Sequence, residues 1–362
     1  MSGLFKILLN SATLWIYLEA IWYFFINIVY YFSIPRIIWG SLIIVVLMWF
    51  IKNPPPNPKI VNQVLGVDPF TLQKDELTSE SFSNGESFCM KVIAHRGGGY
   101  DYPENSLSAF DNSKRRGCNT VEFDLSLTKD KVPIVFHDST IDRLTGKSGV
   151  VKDMTWDELK QLDISYNHPL KEKFEKTETI LHFNEAIEQC LNLNLHLFID
   201  IKDPSLEIAN IIIDAYKKNP KLYEKAIVTS FHPFIVYLIR RREPKIIASL
   251  SYKPNCFSTF LYETFDNMYG PIISKVPFKY SLVKLFDVFY EWALSRFTYF
   301  ILGISVILLH KDNISTKVVE KWHSRGVRVI AWSVNLPSEK LYFSKTLKVT
   351  YLTDTLLSEK IT

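Results

Sequence analysis

Residues 91–138 read KVIAHRGGGYDYPENSLSAFDNSKRRGCNTVEFDLSLTKDKVPIVFHD. Within them Val121, Phe123, Leu125 and Leu127 alternate with Glu122, Asp124 and Ser126. On a strand, that alternation puts both acids on one face and the apolar side chains on the other. A face bearing two carboxylates is not buried without a cation to neutralise it. Glu122 and Asp124 therefore read as metal ligands, and hard oxygen ligands favour Mg²⁺ or Ca²⁺ over Zn²⁺. Gly97, Gly98 and Gly99 lack side chains and allow a backbone to approach a phosphate closely, or serve a tight turn.

The pattern extends on both sides of the acidic strand. His95-Arg96-Gly97 comes first, then Pro103-Glu104-Asn105, then Glu122 and Asp124, then a strand ending in His137-Asp138. These four elements, in this order and spacing, resemble the signature of the glycerophosphodiester phosphodiesterases. Ser106 stands where that family more often has Thr. Farther on, Leu195, Leu197, Ile199 and Ile201 alternate with Asp200 and Lys202. In isolation such a pair reads as a solvated strand end. The family usually has Glu-x-Lys here, so the resemblance implies that Asp200, shorter by one methylene, completes the metal set and that Lys202 faces a phosphate. Residues 329–335, VIAWSVN, resemble the family's closing Trp strand. Trp332 is thereby implied as a wall of the pocket, although a lone Trp is as readily a core residue.

The resemblance covers about Lys91 to Asp354 and is strongest to the membrane-bound type of the family. It implies hydrolysis of glycerophosphodiesters such as glycerophosphoinositol, with Arg96, Lys202 and a cation neutralising the phosphoryl oxygens. His95 and His137 are then the acid and base, in either order, because an imidazole pKa near ~6.5 suits both roles. The glycerol 2-hydroxyl would attack and water would open a cyclic phosphate. The alternative substrates are lysophospholipids or N-acyl lysophosphatidylethanolamine, in a lysophospholipase D reaction. A catalytically silent membrane interaction module is the non-enzyme rival. Such a module would be expected to have lost some of His95, Glu122, Asp124, His137 or Lys202, and all five are present.

Beyond Lys91, short β-rich runs alternate with helical patterns, the mark of an α/β fold. Strands are expected at 92–95, 120–127, 132–137, 196–201, 226–231, 246–250, 303–309, 327–334 and 349–353. Helices are expected at 105–116, 156–162, 184–193, 206–218, 233–242, 316–325 and 338–345. The pattern is close to a (β/α)8 TIM barrel, in which chemistry sits at the C-terminal strand ends. Nine candidates compete for eight places. Residues 128–131 are too few for a parallel crossover, so the second and third runs should form a hairpin. The resemblance implies a distorted barrel of this kind.

The first 52 residues are of another character. Residues 14–51 are almost wholly apolar, interrupted at Ser33-Ile34-Pro35-Arg36. They exceed the apolar core of a signal peptide and read as a membrane anchor, one span or a helical hairpin. Residues 53–87 read as linker, beginning with the stiff run NPPPNPK, and residues 88–362 as the catalytic barrel. An insertion at 253–302 is far longer than an ordinary loop. Its second part is aromatic and amphipathic and reads as an interfacial helix, or else a lid; a bilayer crossing there would prevent one barrel from closing. The expected location is the plasma membrane or the endoplasmic reticulum and secretory pathway, with the barrel on the lumenal or extracellular side. A net charge of only +4 gives no sign of nucleic acid, and the four cysteines show no zinc spacing.

Overall fold

The computed structural model describes residues 2–72, 88–255, 257–258 and 277–357. The polar loop read at 79–86 and part of the insertion lie outside them. Two compact units emerge, Met1–Lys52 and Asn53–Thr362. The first is a helix, Ser2–Ile51, which continues through Pro35 instead of breaking at 33–36. Its apolar side chains from Leu14 to Ile51 are largely exposed.

The second unit contains, among the described residues, the strands β1 (Val92–Ala94), β2 (Thr120–Leu127), β3 (Pro133–Val135), β4 (Leu181–His182), β5 (His196–Ile201), β6 (Ala226–Ser230), β7 (Ile247–Tyr252), β8 (Val306–His310), β9 (Arg328–Trp332) and β10 (Thr350–Thr353). Eight of these close a parallel barrel in the order β1-β2-β5-β6-β7-β8-β9-β10, and β10 returns to β1 through Val92↔Tyr351, Ile93↔Leu352 and Ala94↔Thr353. The ninth candidate, β3, is the hairpin partner of β2, antiparallel to it through Leu125↔Val135. β4 then pairs antiparallel with β3, so both lie outside the closed ring. The hairpin does not reverse β2, which runs parallel to β1 and β5 like every other barrel strand.

Period-two patterning sorts the side chains. Val121, Phe123 and Leu125 on β2, with Leu197, Ile199 and Ile201 on β5, join the core between strands and helices. That core includes the buried face of Leu206–Lys218, where Ile208, Ile212, Ile213 and Tyr216 recur at helical spacing. Ser205 caps that helix by accepting from the Ile208 amide at 3.4 Å, and Lys217 and Lys218 close its last turn. The alternate residues point inward. Ile93, Phe198, Ile227, Ile247 and Ile330 fill the N-terminal end of the barrel.

The floor of that end is a helix the sequence reading missed, Pro58–Leu65, inside the stretch read as linker. Asn57 caps it, accepting from the Lys59 amide at 2.9 Å. Val61, Val64 and Leu65 are buried against the inner layer. Side chains of this kind stabilise by about 1.5–3 kcal/mol each when fully buried. Val306–His310 is likewise a buried barrel strand and no part of a membrane span. Cys89, Cys118 and Cys190 form no disulfide among the described residues.

Candidate active site

The inward face of β5 changes from Phe198 to Asp200 partway up the barrel, beside Glu122 and Asp124 on that of β2. Registers Glu122↔Phe198 and Asp124↔Asp200 set Asp124 and Asp200 side by side on neighbouring strands, one layer above Phe198. Glu122, Asp124 and Asp200 are all buried, and one carboxylate oxygen from each lies within 4.8 Å of the others. Lys202, just past β5, places Nζ 3.0 Å from Asp124 Oδ1 and 2.5 Å from Asp200 Oδ2. Arg96 places Nε 3.4 Å from Asp124 Oδ2, and its backbone amide donates to Glu122 Oε2 at 2.9 Å. Asn105 Nδ2 donates to Asp124 Oδ2 at 2.8 Å, and the Asp124 amide donates to Asn105 Oδ1 at 3.2 Å.

These carboxylates fit a divalent cation. Oδ1 of Asp200 is buried with no hydrogen-bond partner. Burial, together with the neighbouring Asp124, pushes the Glu122 carboxyl up to about 8. Burial also works against Asp124 ionising, yet Lys202, His137 and Arg96 hold its carboxyl far below the usual range. An all-oxygen donor set with one acid pushed toward its neutral form is short of positive charge, and it suits a hard cation.

The histidines are brought in from two directions. His95 follows β1 at the mouth, and its Nε2 lies 3.8 Å from Glu122 Oε2. His137 follows β3, which runs back down from the hairpin turn, so that the Phe136 amide donates to the Asp124 carbonyl at 3.0 Å. The antiparallel arm thus returns His137 to the level of the acids. Each ring holds Nδ1 against a carboxylate: His95 to Asp354 Oδ1 at 2.5 Å and His137 to Asp138 Oδ1 at 2.6 Å. Asp354 is held in turn by Asn335, whose Nδ2 donates to Oδ2 at 2.6 Å and whose Oδ1 accepts from the Asp354 amide at 2.8 Å. Asp138 accepts from Arg143 Nε at 2.7 Å. Burial lowers the His95 pKa, but Glu122 and Asp354 outweigh it and the net shift is upward. Burial lowers that of His137.

Sequence reasoning quoted Glu104, Asn105 and Asp138 in the signature without assigning them a role, and it missed the supporting parts of Asp354, Asn335 and Arg143. Glu104 joins the two arginines, accepting from Arg96 at 2.9 Å and from Arg143 at 2.7 and 2.8 Å. Gly97 and Gly98, at φ 77° and 85°, serve the tight turn that the sequence reading allowed, where the Gly98 amide donates to the His95 carbonyl at 2.8 Å. A Cβ at Gly97, where φ is 77°, would meet Ala109 Cβ at 2.8 Å, and one at Gly99 would meet Glu104 Cβ at 2.9 Å. Their missing side chains are thus used by close packing within the protein. Trp332 ends β9 and is half-buried, its ring 5.7 Å from Phe231 and 4.8 Å from His310. All the residues singled out in the sequence therefore converge on the C-terminal mouth or the layer just below it.

Residues 95–356 match the glycerophosphoryl diester phosphodiesterase family. The chain is 34% identical over 270 residues to glycerophosphodiester phosphodiesterase 1 of Bos taurus, covering 75% of this chain and 79% of that protein. It is 31% identical over 275 residues to the Homo sapiens protein of the same name, with the same coverage. Among solved structures, an Oleispira antarctica phosphodiesterase in complex with the product sn-glycerol-3-phosphate superposes with a TM-score of 0.55 at 22% identity, covering 73% of this chain and 92% of that one. A glycerophosphodiester phosphodiesterase from Agrobacterium tumefaciens gives 0.54 at 17%, covering 74% and 97%. These two share the barrel fold. With the family match spanning both histidines, the acidic cluster and the last strand, the chain belongs to the glycerophosphoryl diester phosphodiesterase family, and its barrel is a phosphoric diester hydrolase.

Proposed function

We propose that this protein is a metal-dependent glycerophosphodiester phosphodiesterase. It would release an alcohol and a glycerol phosphate, or a head-group phosphate, from substrates such as glycerophosphoinositol. The observation that carries this reading is the pair of histidines, each with Nδ1 on a carboxylate, beside a buried three-carboxylate cluster. Mg²⁺ or Ca²⁺ held by Glu122, Asp124 and Asp200 would supply positive charge to the phosphoryl oxygens. Arg96 and Lys202 add fixed positive charge to the same region.

With Nδ1–H donated to Asp354 or Asp138, each ring keeps Nε2 for proton transfer. One histidine takes the proton of the attacking hydroxyl, and the bond from phosphorus to the leaving oxygen breaks. The other histidine gives that oxygen its proton. With the glycerol 2-hydroxyl as nucleophile the product is a cyclic phosphate, which water opens with the two roles exchanged. Trp332, with Phe231 and His310 around it, forms the apolar wall against which the glycerol packs.

Residues 1–52 serve as a membrane anchor in this reading, and the barrel lies on one side of the bilayer, lumenal or extracellular. Residues 11–51 form a helix that contains an 18-residue window of mean hydropathy 2.1. At 1.5 Å per residue it is about 60 Å long, about twice a ~30 Å core, and its continuity through Pro35 supports one span over a hairpin. The second reading, a lysophospholipase D, is favoured by the exposed Phe257, Leu285 and Phe289 on the insertion before β8. Assaying the purified full chain against glycerophosphoinositol, glycerophosphocholine and lysophosphatidylcholine separates the two. Failure to cleave any soluble diester in Mg²⁺ or Ca²⁺ would refute the main reading.

A further inference from the structure

The segment leading into β8 is longer than the barrel wall it covers. Pro277–Ala293 continues through a π turn, Leu294–Thr298, into Tyr299–Leu302. At 1.5 Å per residue this is about 39 Å, roughly twice the length of a six-residue strand such as β7. The lower half packs as a barrel helix: Ala293, Leu294 and Leu302 are buried, and the Tyr299 ring lies 5.8 Å from Trp322. The Tyr290 ring lies 5.9 Å from Tyr252 at the C-terminal end of β7, which fixes that turn at the rim of the mouth. Asp287, buried, accepts from the Phe257 amide at 2.9 Å. Residues before Asp287 therefore project past the rim.

One face of this helix is apolar and uncovered. Leu282, Leu285, Phe286, Val288, Phe289 and Trp292 are all exposed, while Asp287, Tyr290 and Leu294 turn toward the barrel. Soluble monomers rarely expose a contiguous patch of this kind. At its C-terminal edge lies Arg296, whose guanidinium sits 5.0 Å from the Trp292 ring centroid and donates to the Trp292 carbonyl at 2.9 Å. A guanidinium folded back over an indole keeps its charge in a polar layer while the ring enters an apolar one.

What covers this face is indicated at the other end of the helix. Asn53, the first residue of the barrel unit, is buried; its amide donates to the Ile301 carbonyl at 2.8 Å and its Nδ2 to the Tyr237 carbonyl at 3.0 Å. Arg240 holds the Pro54 carbonyl. A Cβ at Gly303 would come within 2.7 Å of the Asn53 carbonyl oxygen, so the contact is close enough to require glycine. The point where the chain passes from the apolar segment 11–51 into the barrel is thus pinned to the end of the same helix that carries the aromatic face. On the reading of 11–51 as a membrane segment, a chain leaving the bilayer at Lys52 delivers Ile301 to the membrane surface.

We propose that the helix lies in the headgroup layer of the bilayer that holds residues 11–51. Leu282, Leu285, Phe286, Val288, Phe289 and Trp292 enter the acyl boundary, and the projecting end sets the barrel mouth at the lipid surface. A lipidic diester would then reach the acids without leaving the membrane fully.

Tryptophan quenching in the full chain, reconstituted in phosphatidylcholine vesicles, tests this. Trp15, Trp22, Trp39 and Trp49 report the anchor, and the component removed by Trp292→Phe reports the helix. Phosphatidylcholine brominated near the headgroup should quench both, the Trp292 component by about half or more if the ring sits at the acyl boundary. Should Trp292→Phe not fold, the signal gained in Phe289→Trp gives the same comparison. Quenching of the anchor tryptophans without the Trp292 component would overturn the inference and leave the anchor standing. Quenching of neither would remove the anchor, and the inference with it.

Discussion

Asp354 Oδ1 meets His95 Nδ1 at 2.5 Å, across 259 residues of sequence. One residue follows the first barrel strand and the other follows the last, and the β1–β10 pairing that closes the barrel brings them together. Asn335 fixes the remaining oxygen of Asp354, so the carboxylate cannot rotate without losing two partners. Asp138 plays the same part for His137, with Arg143 behind it.

Asp354→Asn is expected to lower kcat by about 10²-fold or more, with a small change in KM. An amide in that place can donate to Nδ1 and force the proton onto Nε2, the tautomer unfit to act as base. Steady-state kinetics on glycerophosphoinositol measures this. A variant that lost KM and kept kcat would show that Asp354 serves binding.

His95→Ala and His137→Ala should each reduce turnover by about 10²–10⁴-fold, the usual contribution of a positioned acid or base. Both rings are partly exposed at the mouth, so thermal unfolding should change little. Near-normal turnover in either variant would make that histidine structural.

Saturating Mg²⁺ or Ca²⁺ should raise the unfolding temperature, because an ion bound only by the folded state stabilises it by about 2.7 kcal/mol at a hundredfold excess over Kd. Asp200→Asn, which removes a charge where Oδ1 has no protein partner, should shrink that rise and weaken binding in calorimetry. Full activity in excess chelator, or restoration by Zn²⁺ alone, would count against the oxygen-ligand assignment.

Arg240 is fully buried, and its guanidinium donates to the Ile246 carbonyl at 2.8 Å and to those of Pro244 and Pro54. Arg240→Met fills much of the volume but leaves the buried Ile246 carbonyl, and the part-buried carbonyls of Pro244 and Pro54, without that donor. Destabilisation should reach about 1–3 kcal/mol, the scale for unsatisfied buried groups. Thermal or denaturant unfolding of the full chain reads it, and an unchanged midpoint would mean that water replaces the guanidinium.

The acidic strand was legible because its information is local. Period-two alternation at 121–127 and at 195–202 assigns inner and outer faces without knowledge of the partner strand. Eight strands and the β2–β3 hairpin followed from the same runs and from the shortness of residues 128–131. The helix at 58–65 escaped because NPPPNPK looks extended; its cap and three buried residues emerge only against the inner layer of the barrel. Asp354 and Asn335 escaped for a related reason. No spacing rule links a carboxylate to a histidine at the far end of the chain, whereas Asp138 sits beside His137 and lacked only an assigned role.

The pairing of β1 with β10 also orders events in time. A chain made from its N-terminus has the apolar segment, both histidines, the three acids and Lys202 available long before residue 350 emerges. Until then the His95 ring has no Asp354, and the barrel wall is open beside it. The hydrolase would therefore stay inert throughout synthesis and switch on only with its final strand.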